Sequence, residues 1–213
     1  MKPRSPRIID ISRIVHAGLA GWPGDTPYRF TLAWSRALGA TVNVGRVEAS
    51  IHTGTHVDAP FHFDDAAPTI EALDLAPFLG PAAVVDVSGR DPIQVRDIEA
   101  APLEAAPRLL LRTGGWPDDA TFPESIPTLA PEVPAYLQSR GVVLIGLDVP
   151  SVDALDSKDL PIHHALASSG IAILEGLDLA NVQVGVHELI ALPLKLNGAD
   201  GSPVRAILRG GAG

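Results

Sequence analysis

The 213-residue chain contains no cysteine. That excludes disulfides, thiolate metal sites and cysteine nucleophiles together, and it suits a reducing compartment. Aromatic residues make up only 5% and methionine occurs once. No apolar run approaches the roughly 20 residues of a membrane-spanning helix. The basic stretch from Met1 to Arg13 lacks the apolar core of a secretion signal. Positive charge is also scarce: 16 Lys and Arg stand against 25 Asp and Glu, a formal charge of -9. A phosphate-backbone partner is therefore not expected, and a small-molecule substrate or another protein fits better. These absences point to a cytoplasmic protein with neither a membrane nor a nucleic acid among its partners.

What the chain does have is apolar mass broken into short pieces. Hydrophobic residues make up 46%, and 20 prolines and 20 glycines argue against long helices. Nothing between residues 8 and 208 reads as a linker, so residues 1–213 are expected to form a single compact domain with loose ends at 1–7 and 210–213. Strand-like runs fall at Ile8–Ile11, Tyr28–Trp34, Thr41–Val47, Ala82–Val87, Leu109–Leu111, Val142–Leu147, Ile171–Leu174, Glu188–Lys195 and Val204–Leu208. Four of these, from Ala82–Val87 to Ile171–Leu174, are apolar throughout but for Asp86, as strands buried on both faces should be. Helices are expected at Thr69–Leu73, Val95–Ala100, Pro131–Ser139 and Ile162–Ser169, the last two stopping at Gly141 and Gly170. The fold class is α/β, a mixed sheet with helices outside it.

Chemistry concentrates in two places. His52, Gly54, His56, Asp58, Pro60 and His62 all have even numbers, so an extended chain would set them on one face. Imidazoles with a carboxylate suit zinc or a similar first-row divalent ion. A strand of four residues spans about 13 Å, too far for ligands of one ion. Either the chain bends near Gly54 or the segment serves two ions. Three histidines within eleven residues, in a chain with seven, weigh against a merely solvated edge strand. The second place is 148–175. Asp148 ends the run Val142–Leu147, where α/β sheets present functional groups. Glu175 ends another apolar run and needs a partner, either a metal or an arginine. His163 and His164 point apart on a helix, so one of the two at most is a ligand.

His52-Thr53-Gly54-Thr55-His56-Val57-Asp58-Ala59-Pro60-Phe61-His62-Phe63 resembles the signature H-x-G-T-H-x-D-x-P-x-H-F of the cyclase family of metallohydrolases, and within it the bacterial kynurenine formamidases (arylformamidases). The similarity extends to Ile9–Pro27 with Trp22-Pro23-Gly24-Asp25, to Asp156–Glu175, and to Leu192–Lys195 and Gly201–Arg205. The resemblance implies that His52, His56 and Asp58 ligate metal, joined by His163 and Glu175 in a site for two divalent ions, usually zinc. His163 is preferred to His164 because its distance in sequence to Glu175 matches the family's. The resemblance gives His62 the acid/base role and Trp22 a place beside the substrate. It also implies a swivelling β/β/α domain and a homodimer.

The reaction implied is hydrolysis of N-formyl-L-kynurenine to L-kynurenine and formate, a step of tryptophan breakdown. Divalent ions favour the oxyanion formed at an amide carbonyl and acidify water. His62 could carry a proton from the attacking water to the leaving nitrogen. The aromatic part of the substrate needs a wall, which Trp22 and Trp116 offer, although either indole could instead be core packing. No G-x-S-x-G is present for a serine hydrolase. The alternatives are an isatin-type cyclic-amide hydrolase with the same metals, or a metal-binding protein without catalysis, which would have no need of His62.

Overall fold

In the computed structural model, which describes residues 7–210, eleven strands and three short helices follow one another along the chain. They are β1 (Ile8–Asp10), β2 (Arg29–Trp34), β3 (Val44–Glu48), β4 (His56–Asp58), β5 (Leu79–Asp86), α1 (Val95–Ile98), β6 (Arg108–Arg112), α2 (Val133–Ser139), β7 (Leu144–Leu147), α3 (Pro161–Ser168), β8 (Ala172–Glu175), β9 (Gly185–Ile190), β10 (Gly201–Pro203) and β11 (Ile207–Arg209). Of the two ends read as loose, residues 1–6 and 211–213 lie outside the described residues.

Nine strands form one sheet in the order β1-β11-β9-β5-β6-β7-β8-β4-β10, while β2 and β3 make a separate hairpin. The central strands β5, β6, β7 and β8 are parallel, and the flanking pairs are antiparallel. The parallel strands are these apolar runs, and alternation inside each divides its side chains between two cores. Leu109, Leu111, Ile145, Leu147 and Ile173 join one cluster with Ile98 of α1, Val133 and Leu137 of α2, and Ile162 and Leu166 of α3. Leu110, Leu144 and Leu174 join the other, with Val84, Leu189, Leu208 and Val57 from the sheet itself. The three α-helices thus pack on the first side, while the second cluster is built from the sheet together with Ile70 and Phe78 of two 3-10 turns. This is the expected α/β class.

Several local expectations are corrected. Thr69–Leu73 is only a 3-10 turn at Ile70–Ala72. The strand expected at Glu188–Lys195 stops at Ile190, where Pro193 ahead would remove a ladder donor. β10 was not foreseen, because Gly201 and Pro203 are poor strand formers. No helix among the described residues is long and apolar enough to cross a membrane.

Candidate metal centre

Strand β4 lies between β8 and β10, and its register sets His56 opposite Glu175 and Asp58 opposite Gly201. Only His56–Asp58 is extended. The expectation of a single extended face from 52 to 62 is therefore corrected. The chain turns at Gly54, whose φ is +72°, and Pro60 opens a 3-10 turn that ends on His62. The bend demanded by the spacing of His52 and His56 is thus at Gly54. It is held tightly: a Cβ on Gly176 would sit 2.2 Å from the Gly54 carbonyl, and the Thr55 hydroxyl donates to the Gly176 carbonyl at 2.6 Å. Glycine at 176 is what lets the turn dock onto the end of β8.

The bend brings all five expected ligands together. His52 Nδ1 lies 3.1 Å from Asp58 Oδ1, and His56 Nε2 lies 3.4 Å from the same oxygen and 3.5 Å from Glu175 Oε2. His163, from the first turns of α3, sets Nε2 3.6 Å from Asp58 Oδ2 and 3.7 Å from Glu175 Oε1. Two groups that could hold a metal ion result, His52-His56-Asp58 and Asp58-His163-Glu175, each with its donor atoms within 4.8 Å of one another and sharing Asp58; a third such group, His52-His62-Asp200, lies alongside and shares His52. His164 points outward and is exposed. His62, also exposed, stacks over His52 with ring centroids 4.0 Å apart.

Two carboxylates this close, both buried, should not coexist as charged groups without cations. The groups nearest to them are the three imidazoles. Burial alone would lower His56 and His163, but Asp58 and Glu175 for the former, and Asp153 and Asp58 for the latter, outweigh it and push each up to about 10. His52 is raised for the same reason, with Asp58 overcoming burial. Burial would raise Asp58, yet the His163, His52 and His56 imidazoles hold it well below the usual carboxylate range. Glu175 goes up, through burial and then the adjacent Asp58 charge. His62 is lowered, by burial and then by His52. Both Asp58 oxygens are buried without a hydrogen-bond partner. Native proteins rarely leave such atoms unmet. Nitrogen and oxygen donors converging on them fit a divalent cation.

Each imidazole is also held from behind, through the nitrogen that faces away from the cluster. His56 Nδ1 meets the Gly54 carbonyl at 3.0 Å, His163 Nδ1 meets Asp153 Oδ2 at 2.7 Å, and His52 Nε2 meets Asp200 Oδ2 at 3.0 Å. Asp153 and Asp200 were missed in the sequence. Asp153 also accepts from the backbone N–H groups of Ile162 and His163 at the start of α3, reaching them from nine and ten residues away. Asp148, by contrast, is corrected: its carboxylate turns to Thr113 and Gly114 and not to the cluster.

The cluster opens into a cleft of about 520 Å³ lined by Trp22, Trp116, Phe122, Leu160 and Ser157 as well as the histidines. Trp22 is 42% exposed and packs edge-on against Phe122, at 5.3 Å between centroids. Trp116 is buried, donates Nε1–H to the Thr121 carbonyl at 3.0 Å, and carries the Arg13 guanidinium 4.0 Å from its ring centroid. It therefore serves core packing and lines the cleft.

The model of the Cyclase family matches residues 9–154, more than half of the chain. A kynurenine formamidase of Bacillus cytotoxicus is 50% identical over 201 residues, covering 94% of this chain and 96% of its own. Among solved structures, one from Bacillus stearothermophilus, described as a predicted metal-dependent hydrolase, superposes with a TM-score of 0.81 at 26% identity and covers 96% of this chain and 98% of its own. Isatin hydrolase A from Labrenzia aggregata gives a TM-score of 0.80 at 22% identity, covering 95% and 93%, a likeness of fold.

Proposed function

Because the chain belongs to the cyclase family, we propose that it is the amide hydrolase that converts N-formyl-L-kynurenine and water to L-kynurenine and formate. The structural observation that carries the chemistry is Asp58, with two buried oxygens lacking hydrogen-bond partners among three imidazoles and Glu175. His52, His56 and Asp58 would hold one divalent ion, and His163 and Glu175, with Asp58 shared, a second. Zinc suits these donors. When bound, such ions polarise the amide carbonyl and acidify water.

The protein's own residues do the rest. His62 is bound by no carboxylate within hydrogen-bond distance and is held below its ordinary pKa, so it is free to accept a proton near neutral pH. Its Nε2, on the side of the ring away from Asp200, takes the proton of the attacking water and passes it to the departing aniline nitrogen. The Trp22 indole supplies an aromatic wall for the ring of the substrate. The cyclic-amide reading has only fold likeness behind it. A homodimer belongs to the same proposal. Phe30, Leu32, Trp34 and Val47 stand open on the β2–β3 hairpin, and a two-stranded ribbon with such a face is stabilised by a partner surface.

Purified protein assayed with N-formyl-L-kynurenine and isatin side by side tests the substrate. Formate release from the former should dominate, and faster opening of isatin would reverse the assignment. Elemental analysis should give close to two ions per chain, and saturation at one would remove the two-ion site. Light scattering should give about twice the 22.3 kDa chain mass.

A further inference from the structure

We infer that Asp200 is a positioning residue that couples His52 of the ligand cluster to His62 of the proton path. The inference rests on the roles proposed above for those two histidines. A single oxygen, Asp200 Oδ2, lies 3.0 Å from His52 Nε2 and 3.6 Å from His62 Nδ1, while the two rings lean together at 36°. His52 Nδ1 faces Asp58, so its outer nitrogen donates to Asp200 and the ring cannot swing. The same oxygen stands beside Nδ1 of His62. At 3.6 Å the contact is an electrostatic one and not a hydrogen bond, and it favours the ring orientation that sets Nδ1 toward Asp200.

The carboxylate is placed by backbone, which argues for a designed position. Ala59 N–H donates to the Asp200 carbonyl at 2.9 Å, and Ile70 N–H to the Ala199 carbonyl at 3.0 Å. The next residue, Gly201, pairs with Asp58. A Cβ on Gly201 would meet the Val57 carbonyl at 2.7 Å and His52 Cε1 at 3.2 Å. A bare glycine there allows β10 to approach β4 closely and brings Asp200 over the ring. His62 comes from the other side, on the 3-10 turn that starts at Pro60. Three segments thus converge on one oxygen.

The test uses Asp200→Ala and the milder Asp200→Asn, each alone and combined with His62→Asn, with folding followed by circular dichroism. Zinc retention against a graded chelator is measured without substrate. Asp200→Ala should retain zinc on the order of 10- to 100-fold more weakly, and Asp200→Asn should fall between because its amide oxygen still accepts from His52. With N-formyl-L-kynurenine at saturating zinc, Asp200→Ala should lower kcat by about tenfold while KM moves less than about twofold. In the His62→Asn background the same change should cost nothing further. Wild-type zinc retention by Asp200→Ala, or a full additional kcat loss on top of His62→Asn, would overturn the inference. If Asp200→Ala does not fold, Asp200→Asn carries the same two measurements. A wild-type protein inert toward N-formyl-L-kynurenine would sink the substrate reading instead, and the zinc arm would still judge Asp200.

Discussion

Asp148 directly follows β7 and Glu175 ends the neighbouring parallel strand β8; both are buried, and the protein uses them in opposite ways. Asp148 is saturated. It accepts from the Thr113 N–H at 2.9 Å, the Thr113 hydroxyl at 2.5 Å and the Gly114 N–H at 3.0 Å, which pins the loop that carries Trp116. Glu175 accepts from one backbone donor, Val152 N–H at 2.9 Å, and otherwise faces imidazoles and Asp58. A buried carboxylate surrounded by donors holds structure. One left short of donors beside a second carboxylate is a place for a cation. Strand-end position alone does not separate the two; the donor count does.

Neutralising Glu175, the carboxylate short of donors, has the largest expected effect. Glu175→Gln should lose metal and lower kcat/KM on the order of 10³-fold, since polarisation by metal is worth several kcal/mol. The protein should stay folded by circular dichroism. Full metal content in this variant would show that Glu175 is no ligand. Stripping the wild-type protein with chelator should reproduce the loss, and added zinc should restore it.

Asp148→Ala tests the saturated side. Three donors lose their acceptor at once, and destabilisation of about 3 kcal/mol is expected. For a chain of this length that lowers Tm by roughly 6–12 °C. Metal content per folded molecule should remain at the wild-type value. A loss of metal without a loss of stability would place Asp148 on the functional side and erase the contrast.

Between these extremes stands Trp22, beyond the ends of the strands but over the same cleft. An indole stacked on the substrate ring adds about 1 kcal/mol beyond burial, so Trp22→Ala should raise KM for N-formyl-L-kynurenine about fivefold. A small formamide without the ring should be affected much less. Equal losses on both substrates would make Trp22 structural, in keeping with its edge-on contact to Phe122.

The difference between Asp148 and Glu175 also marks where the sequence stops being readable. The motif from His52 to His62 is local, so its residue types and spacing alone announce metal chemistry, and the demand for a bend was met at Gly54. The parallel strands were legible because burial on both faces leaves a continuous apolar run. Asp153 and Asp200 were not legible, since their roles depend on tertiary contacts across 10 and 148 residues. Asp200 sits in a turn-like Gly198-Ala199-Asp200-Gly201 segment, where an aspartate ordinarily reads as turn chemistry. Asp148 was misjudged because its partners lie on the end of a different strand, β6.

A third carboxylate completes the series and gives the smallest expected effect. Asp86 ends β5 in the same sheet, separated from Asp148 by β6, and it is exposed. Arg112 donates to it at 2.6 Å, and the Ser88 hydroxyl and N–H donate at 2.7 and 3.0 Å. Arg112 first, and then Ser88, hold the Asp86 carboxyl below the usual carboxylate range. A folded pKa below the unfolded one contributes stability that is fully present above the unfolded pKa of about 3.9 and is lost as pH falls through the folded value. Solvent screens the pair, so the gain should be about 0.5 kcal/mol. Urea unfolding of wild type and Asp86→Asn should therefore differ by a small, constant amount above about pH 5. The difference should shrink as the pH falls below about 4, and added salt should shrink it further at every pH. A gap as large as that expected for Asp148→Ala would mean that exposure does not weaken a strand-end carboxylate, and that donor count alone governs all three.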